Sequence, residues 1–106
     1  MDLSALDLDN DGYLRDLDDW NEDLARALAE REGIALSAEH WHVIRMLREF
    51  HARTGVAPAM RPLVRLARDM LGAERGTSIY LLGLFPGNPA KVAAKIAGLP
   101  RPTNCL

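Results

Sequence analysis

The stretch Asn88-Pro89-Ala90-Lys91-Val92-Ala93-Ala94-Lys95-Ile96-Ala97-Gly98-Leu99-Pro100-Arg101-Pro102-Thr103-Asn104-Cys105-Leu106 reads as a helix followed by a segment that cannot be one. Asn88 suits an N-cap. Pro89 is tolerated at the first helical position, where its missing N–H would go unpaired in any case. Val92, Ala93 and Ile96 mark an apolar face, and Gly98 closes the helix. Beyond it, two prolines at spacing two forbid helix and favour an extended, polyproline-like segment. The chain therefore divides into a single domain over 1–98 and a mobile C-terminal arm over 99–106. The arm carries the only cysteine, Cys105.

Upstream, helical periodicity recurs. A short helix over about 78–85 is capped by Thr77 or Ser78, with Ile79, Leu82 and Phe85 facing in. Leu63, Leu66, Ala67, Met70 and Leu71 form the buried stripe of a helix over roughly 60–71, bracketed at its entry by Pro58 and Pro62 and stopped by Gly72. Ser37 caps another that ends at Gly55, with Leu36 and Trp41 placed for a hydrophobic staple. The first helix is expected from near Asp16–Asp18 to Glu32, with Leu17, Trp20, Leu24, Ala27 and Leu28 on one face. Residues 3–16 predict a β-hairpin turning at Asp9-Asn10-Asp11-Gly12. The expected class is α+β, mostly α: a small domain of about five helices with an N-terminal β-hairpin and an extended C-terminal arm.

With 106 residues the chain suits one modest core. No apolar run approaches the ~18 residues that span a bilayer. Met1-Asp2-Leu3-Ser4 lacks a signal-peptide pattern, so a cytoplasmic address is expected. One cysteine excludes an internal disulfide and a cysteine-based zinc cluster. The net charge of −2 conceals an asymmetry: residues 1–39 hold 12 acidic and 3 basic side chains, residues 40–106 hold 3 acidic and 10 basic ones. Either the halves neutralise each other across the fold, or the basic half meets an anionic partner.

Asp7-Leu8-Asp9-Asn10-Asp11-Gly12 resembles the start of an EF-hand loop, but position 12 is Asp18 and no helix precedes Asp7, so a turn is the better reading. His40, His42 and His51 lack zinc-site spacing. Neither a metal nor a cofactor motif emerges. Arg61, Arg65 and Arg68 recur at helical spacing, with Arg45 and Arg48 on the preceding helix. That pair of helices admits a helix-turn-helix reading, hence a non-catalytic binding or regulatory module. A solvated face, or a face for RNA phosphate or an acidic protein, are the other readings.

Cys105 is the most informative residue. Most lone cysteines are small buried hydrophobes, but the penultimate residue of an extended tail is hard to bury. An arm could insert its nucleophilic sulfur into another protein's site. Arg101, Lys91 and Lys95 would favour the thiolate, and the C-terminal carboxylate would oppose it.

Ile79-Tyr80-Leu81-Leu82, Leu84-Phe85-Pro86-Gly87-Asn88-Pro89-Ala90-Lys91 and Ala97-Gly98-Leu99-Pro100-Arg101-Pro102-Thr103 with Cys105 resemble the DsrC/TusE family, as do Asp11-Gly12-Tyr13-Leu14, Trp20 and His40-Trp41. The resemblance implies a helical domain with a protruding arm, and a penultimate cysteine that accepts sulfur as a persulfide. Its two-cysteine members carry a second cysteine where this chain has Ala94, so the chain is similar to the one-cysteine TusE-like branch. It thereby implies a sulfurtransferase taking sulfur from a donor resembling the TusBCD complex. The acceptor implied resembles the thiouridylase MnmA with tRNA, in wobble-uridine 2-thiolation. A DsrC-like partner of a sulfite-reductase-type enzyme is the alternative.

Overall fold

The computed structural model describes residues 7–103. Five α-helices follow one another: α1 (Glu22–Arg31), α2 (Ala38–Thr54), α3 (Met60–Leu71), α4 (Ser78–Leu84) and α5 (Pro89–Ile96). Helix α5 is the hub, packed against each of the other four. Its buried residues are Pro89, Ala90, Ala93, Ala94 and Ile96. Four of these five are small, which lets neighbouring backbones come close and lets one short helix serve four partners. Leu24 and Leu28 of α1, Val43, Ile44 and Leu47 of α2, Leu63 and Ala67 of α3, and Leu81 and Phe85 from α4 and its C-cap complete the core.

The α+β class with an N-terminal hairpin is corrected: among the described residues the fold is all-helical. Residues 3–6 of the expected hairpin lie outside the described residues. The rest narrows to an isolated antiparallel bridge, Leu8 with Leu14. The Asp9 side chain accepts the N–H groups of Asp11 (2.9 Å) and Tyr13 (3.0 Å), closing a turn on itself. Gly12 takes φ +90°, a conformation that side-chain-bearing residues rarely adopt. Asp16 then caps a 3-10 turn at Leu17–Asp19, which bends the chain away before a ladder can grow.

That turn also corrects the start of the first helix. Trp20 is extended and α1 begins only after Asn21, whose side chain accepts the Leu24 N–H. On α4 two of the three residues expected to face inward do not. Phe85 is buried, but Ile79 is 84% exposed and Leu82 43%, while Leu81 points in. Met70, expected in the α3 stripe, is 46% exposed.

Ser37 caps α2 as expected, with a partner that the sequence reading did not assign. His40 completes a capping box, its Nδ1 accepting the Ser37 N–H at 3.0 Å. The ring proton therefore sits on Nε2, which donates to the Leu84 carbonyl at 2.8 Å and so ties the start of α2 to the end of α4.

The acidic and basic halves do meet. Arg75 pairs with Glu39, Lys95 with Glu32, Arg45 with Glu22, and Arg101 with Asp9 and Asp11. Much of the charge asymmetry is thus settled inside the molecule.

Candidate functional site: the base of the arm

The arm leaves the hub helix through a Schellman motif. The Gly98 N–H donates to Lys95 O (3.1 Å) and the Leu99 N–H to Ala94 O (2.9 Å). Gly98 is required twice. Its φ is +71°, and a Cβ there would lie 2.3 Å from the Trp20 ring. The last carbonyls of α5, which have no partner within the helix, find side chains instead. The Trp20 indole N–H donates to Ile96 O at 2.9 Å, and Arg48 Nη1 donates to Ala97 O at 2.6 Å. The Arg48 guanidinium also stacks over the Trp20 ring, 3.8 Å from its centroid. Burial pulls the Arg48 pKa below the usual arginine value.

Leu99 and Pro102 are buried and Arg101 is exposed. Arg101 Nη1 donates to Asp9 Oδ2 at 2.9 Å, and Nη2 donates to Asp11 Oδ2. Its guanidinium lies 4.7 Å from the centroid of Tyr13, a ring that is 4% exposed and whose hydroxyl donates to Lys91 O. For Asp9, partial burial pushes its pKa upward, but the backbone N–H groups of Tyr13 and Asp11 together with Arg101 outweigh this and hold it below the ordinary value. The Asp11 hydrogen bond raises Arg101 above its own. At the end of the described chain, the Thr103 N–H donates to Ala57 O at 3.0 Å, and its hydroxyl approaches the same oxygen.

Cys105 lies outside the described residues. Of the cations expected to steer the arm or favour a thiolate, Arg101 is engaged by two carboxylates and Lys95 pairs with Glu32 at 2.9 Å, while Lys91 is exposed on α5. Arg101 and Lys95 both lie over the Tyr13 ring, and the Lys91 carbonyl accepts the Tyr13 hydroxyl. Arg61, Arg65 and Arg68 are exposed on α3. Arg61 and Arg65 line two clefts, one of about 300 Å³ with Phe50, Pro62, Leu66 and Asp69, the other of about 230 Å³ with Met60, Val64, Arg68 and Ser78. Among the described residues neither Arg61 nor Arg65 meets a carboxylate.

One charged network escaped sequence reasoning. Glu39 accepts two hydrogen bonds from Arg75 (2.8 and 3.1 Å) and one from the Tyr80 hydroxyl, with His42 3.4 Å away. Hydrogen bonding from Arg75, then from Tyr80, lowers the Glu39 pKa to about 2. No spacing in the sequence joins residues 36 to 41 positions apart; only the excess of acid in one half hinted at such pairings.

Residues 1–106 match the family model described as DsrC like protein. The chain is 48% identical over 101 residues to Sulfurtransferase TusE of Escherichia coli K12, covering 95% of this chain and 93% of that protein. It is 51% identical over 98 residues to Sulfurtransferase TusE of Salmonella typhimurium LT2, covering 92% and 90%. Its fold is similar to the NMR structure of Allochromatium vinosum DsrC, with TM-score 0.86, 43% identity and coverage of 93% and 88%. It is also similar to the crystal structure of the oxidized gamma-subunit of the dissimilatory sulfite reductase (DsrC) from Archaeoglobus fulgidus, with TM-score 0.82, 42% identity and coverage of 95% and 92%.

Proposed function

We propose a mechanism from the premise that this chain belongs to the DsrC-like protein family. It is a sulfurtransferase of the sulfur-relay kind, working with partner proteins. The observation that carries this reading is identity of about half, over nine-tenths or more of both chains, to proteins named Sulfurtransferase TusE. Ala94 in place of a second cysteine agrees with it, since a carrier with one thiol cannot close an internal disulfide.

Cys105 is the sulfur carrier in this proposal. Its thiolate attacks the outer sulfur of a donor persulfide. The donor S–S bond breaks, the donor thiolate leaves, and a new S–S bond makes Cys105 a persulfide. An acceptor thiolate then attacks that outer sulfur and Cys105 leaves as thiolate. The transferred sulfur keeps its oxidation state, so neither step requires an oxidant or reductant. The donor is a complex resembling TusBCD and the acceptor an enzyme resembling the thiouridylase MnmA with tRNA, which places the relay in the cytoplasm. The arginine face of Arg61, Arg65 and Arg68 docks the acceptor. Lys91, exposed beside the start of the arm, helps to steer it, whereas the charge of Lys95 is offset by Glu32.

Incubation with a low-molecular-weight persulfide should add about 32 Da per sulfur to the intact protein, as expected for a reactive thiolate, and Cys105→Ser should abolish the gain. No gain in the wild type, or an equal gain in Cys105→Ser, would overturn the assignment.

A further inference from the structure

Arg101 is the single charged side chain between Leu99 and Thr103, and its surroundings are built from fixed parts. Asp9 Oδ1 is committed to the N–H groups of Asp11 and Tyr13, which leaves Oδ2 oriented toward the arm. The Tyr13 ring is buried and its hydroxyl is tied to α5, so the face that Arg101 covers is set in advance. The turn reads as a weak calcium motif in the sequence; in the fold its carboxylates receive a guanidinium. We propose that Arg101 is a positioning residue for sulfur transfer: the cradle of Asp9, Asp11 and Tyr13 fixes the path along which the arm carries Cys105 to a protein partner. This inference rests on the relay reading above.

The arm can transmit such a constraint. Pro100 and Pro102 each fix their own φ and hold the preceding residue extended, so a guanidinium seated at 101 restricts the backbone on both sides. Attachments then recur at every second residue: the Leu99 N–H on Ala94, the Arg101 side chain in its cradle, the Thr103 N–H on Ala57. Ordering the arm before it meets a partner lowers the entropy lost on docking. The two carboxylates around Arg101 more than neutralise its charge, so its part in transfer is geometric rather than stabilisation of a distant thiolate.

The test uses the full chain and the variants Arg101→Ala, Arg101→Lys and Asp11→Asn. Two measurements are made: amide exchange at Thr103 and Leu99 by NMR, and sulfur transfer from persulfidated Cys105 to the thiouridylase MnmA as protein probe. In Arg101→Ala, exchange at Thr103 should rise roughly fivefold, the scale of a partly exposed ion-pair cluster, while Leu99 stays protected. The KM for the acceptor should rise by a similar factor with kcat and loading by a small persulfide unchanged. Asp11→Asn should follow in part, and Arg101→Lys should recover part of both effects. Unchanged Thr103 exchange, an unchanged KM, or a KM that falls in Arg101→Ala would overturn the proposal. If the wild type itself takes up no sulfur, the relay reading fails instead, and the exchange pattern alone decides whether the cradle holds the arm.

Discussion

The base of the arm and the outer face of α3 both carry arginines, yet the fold treats them differently. Arg48 caps Ala97 and stacks on Trp20, and Arg101 sits between two carboxylates and a ring. Arg61 and Arg65 line open clefts, one of them shared with Asp69, and form no ion pair among the described residues. In sequence these four arginines are alike. In the fold, two are fasteners and two are exposed along clefts, where the proposed relay would use them. Substitution should therefore cost stability at the first region and binding at the second.

The largest effect is expected at Gly98. Gly98→Ala forces a side chain into a positive φ and against the Trp20 ring, and should destabilise the protein by about 3 kcal/mol. Chemical denaturation would measure this; a loss below about 1 kcal/mol would mean that the base of the arm yields easily. Trp20→Phe keeps most of the ring under Arg48 but leaves the Ile96 carbonyl without its donor, so a loss of about 1 kcal/mol is expected.

A third experiment tests the pairing of Arg75, which, unlike Arg61 among the described residues, has a carboxylate partner in Glu39. Glu39 titrates at about 2 in the fold against an ordinary value of 4.5, so folding favours its ionised form. Its contribution is complete above the ordinary value and is lost as pH falls from 4.5 toward about 2. Glu39→Gln should flatten the stability profile across that window. Some slope should persist, because the lowered pKa of Asp9 acts in the same direction. An unaltered profile in Glu39→Gln would show that this pairing contributes nothing to acid sensitivity.

The smallest change in stability is expected for the double variant Arg61→Glu, Arg65→Glu: within about 0.5 kcal/mol, as for exposed surface residues. Acceptor association should slow, most at low salt, while loading of Cys105 by donor persulfide proceeds. Unchanged affinity with lowered stability would erase the contrast between the two regions and remove the α3 face from the mechanism.

Helices α2, α3 and α5 were legible because their stops are local. Ser37 and Gly55, Gly72, and Asn88-Pro89 with Gly98 act within a turn of where they stand in the sequence. The start of α1 was not legible: Trp20 fits the helical stripe, but its indole belongs to Ile96, 76 positions away. The hairpin was over-read because Asn, Asp and Gly serve a closed side-chain turn as readily as a strand reversal. In α4 seven residues give too few repeats to choose between the Ile79–Leu82 face and the Leu81–Phe85 face. At the site, Cys105 stood out through its place on a proline-rich tail. The cradle of Arg101 could not be seen, because it joins residues 90 and 92 positions apart.

The alternation that directs the arm also guards it. Leu99 and Thr103 spend their amide hydrogens on Ala94 and Ala57, and the intervening Pro100 and Pro102 have none to offer. A neighbouring polypeptide seeking to add itself as a strand would find this edge almost without donors. The described part of the arm, Leu99–Thr103, is thereby poorly suited to pair as a strand with copies of itself.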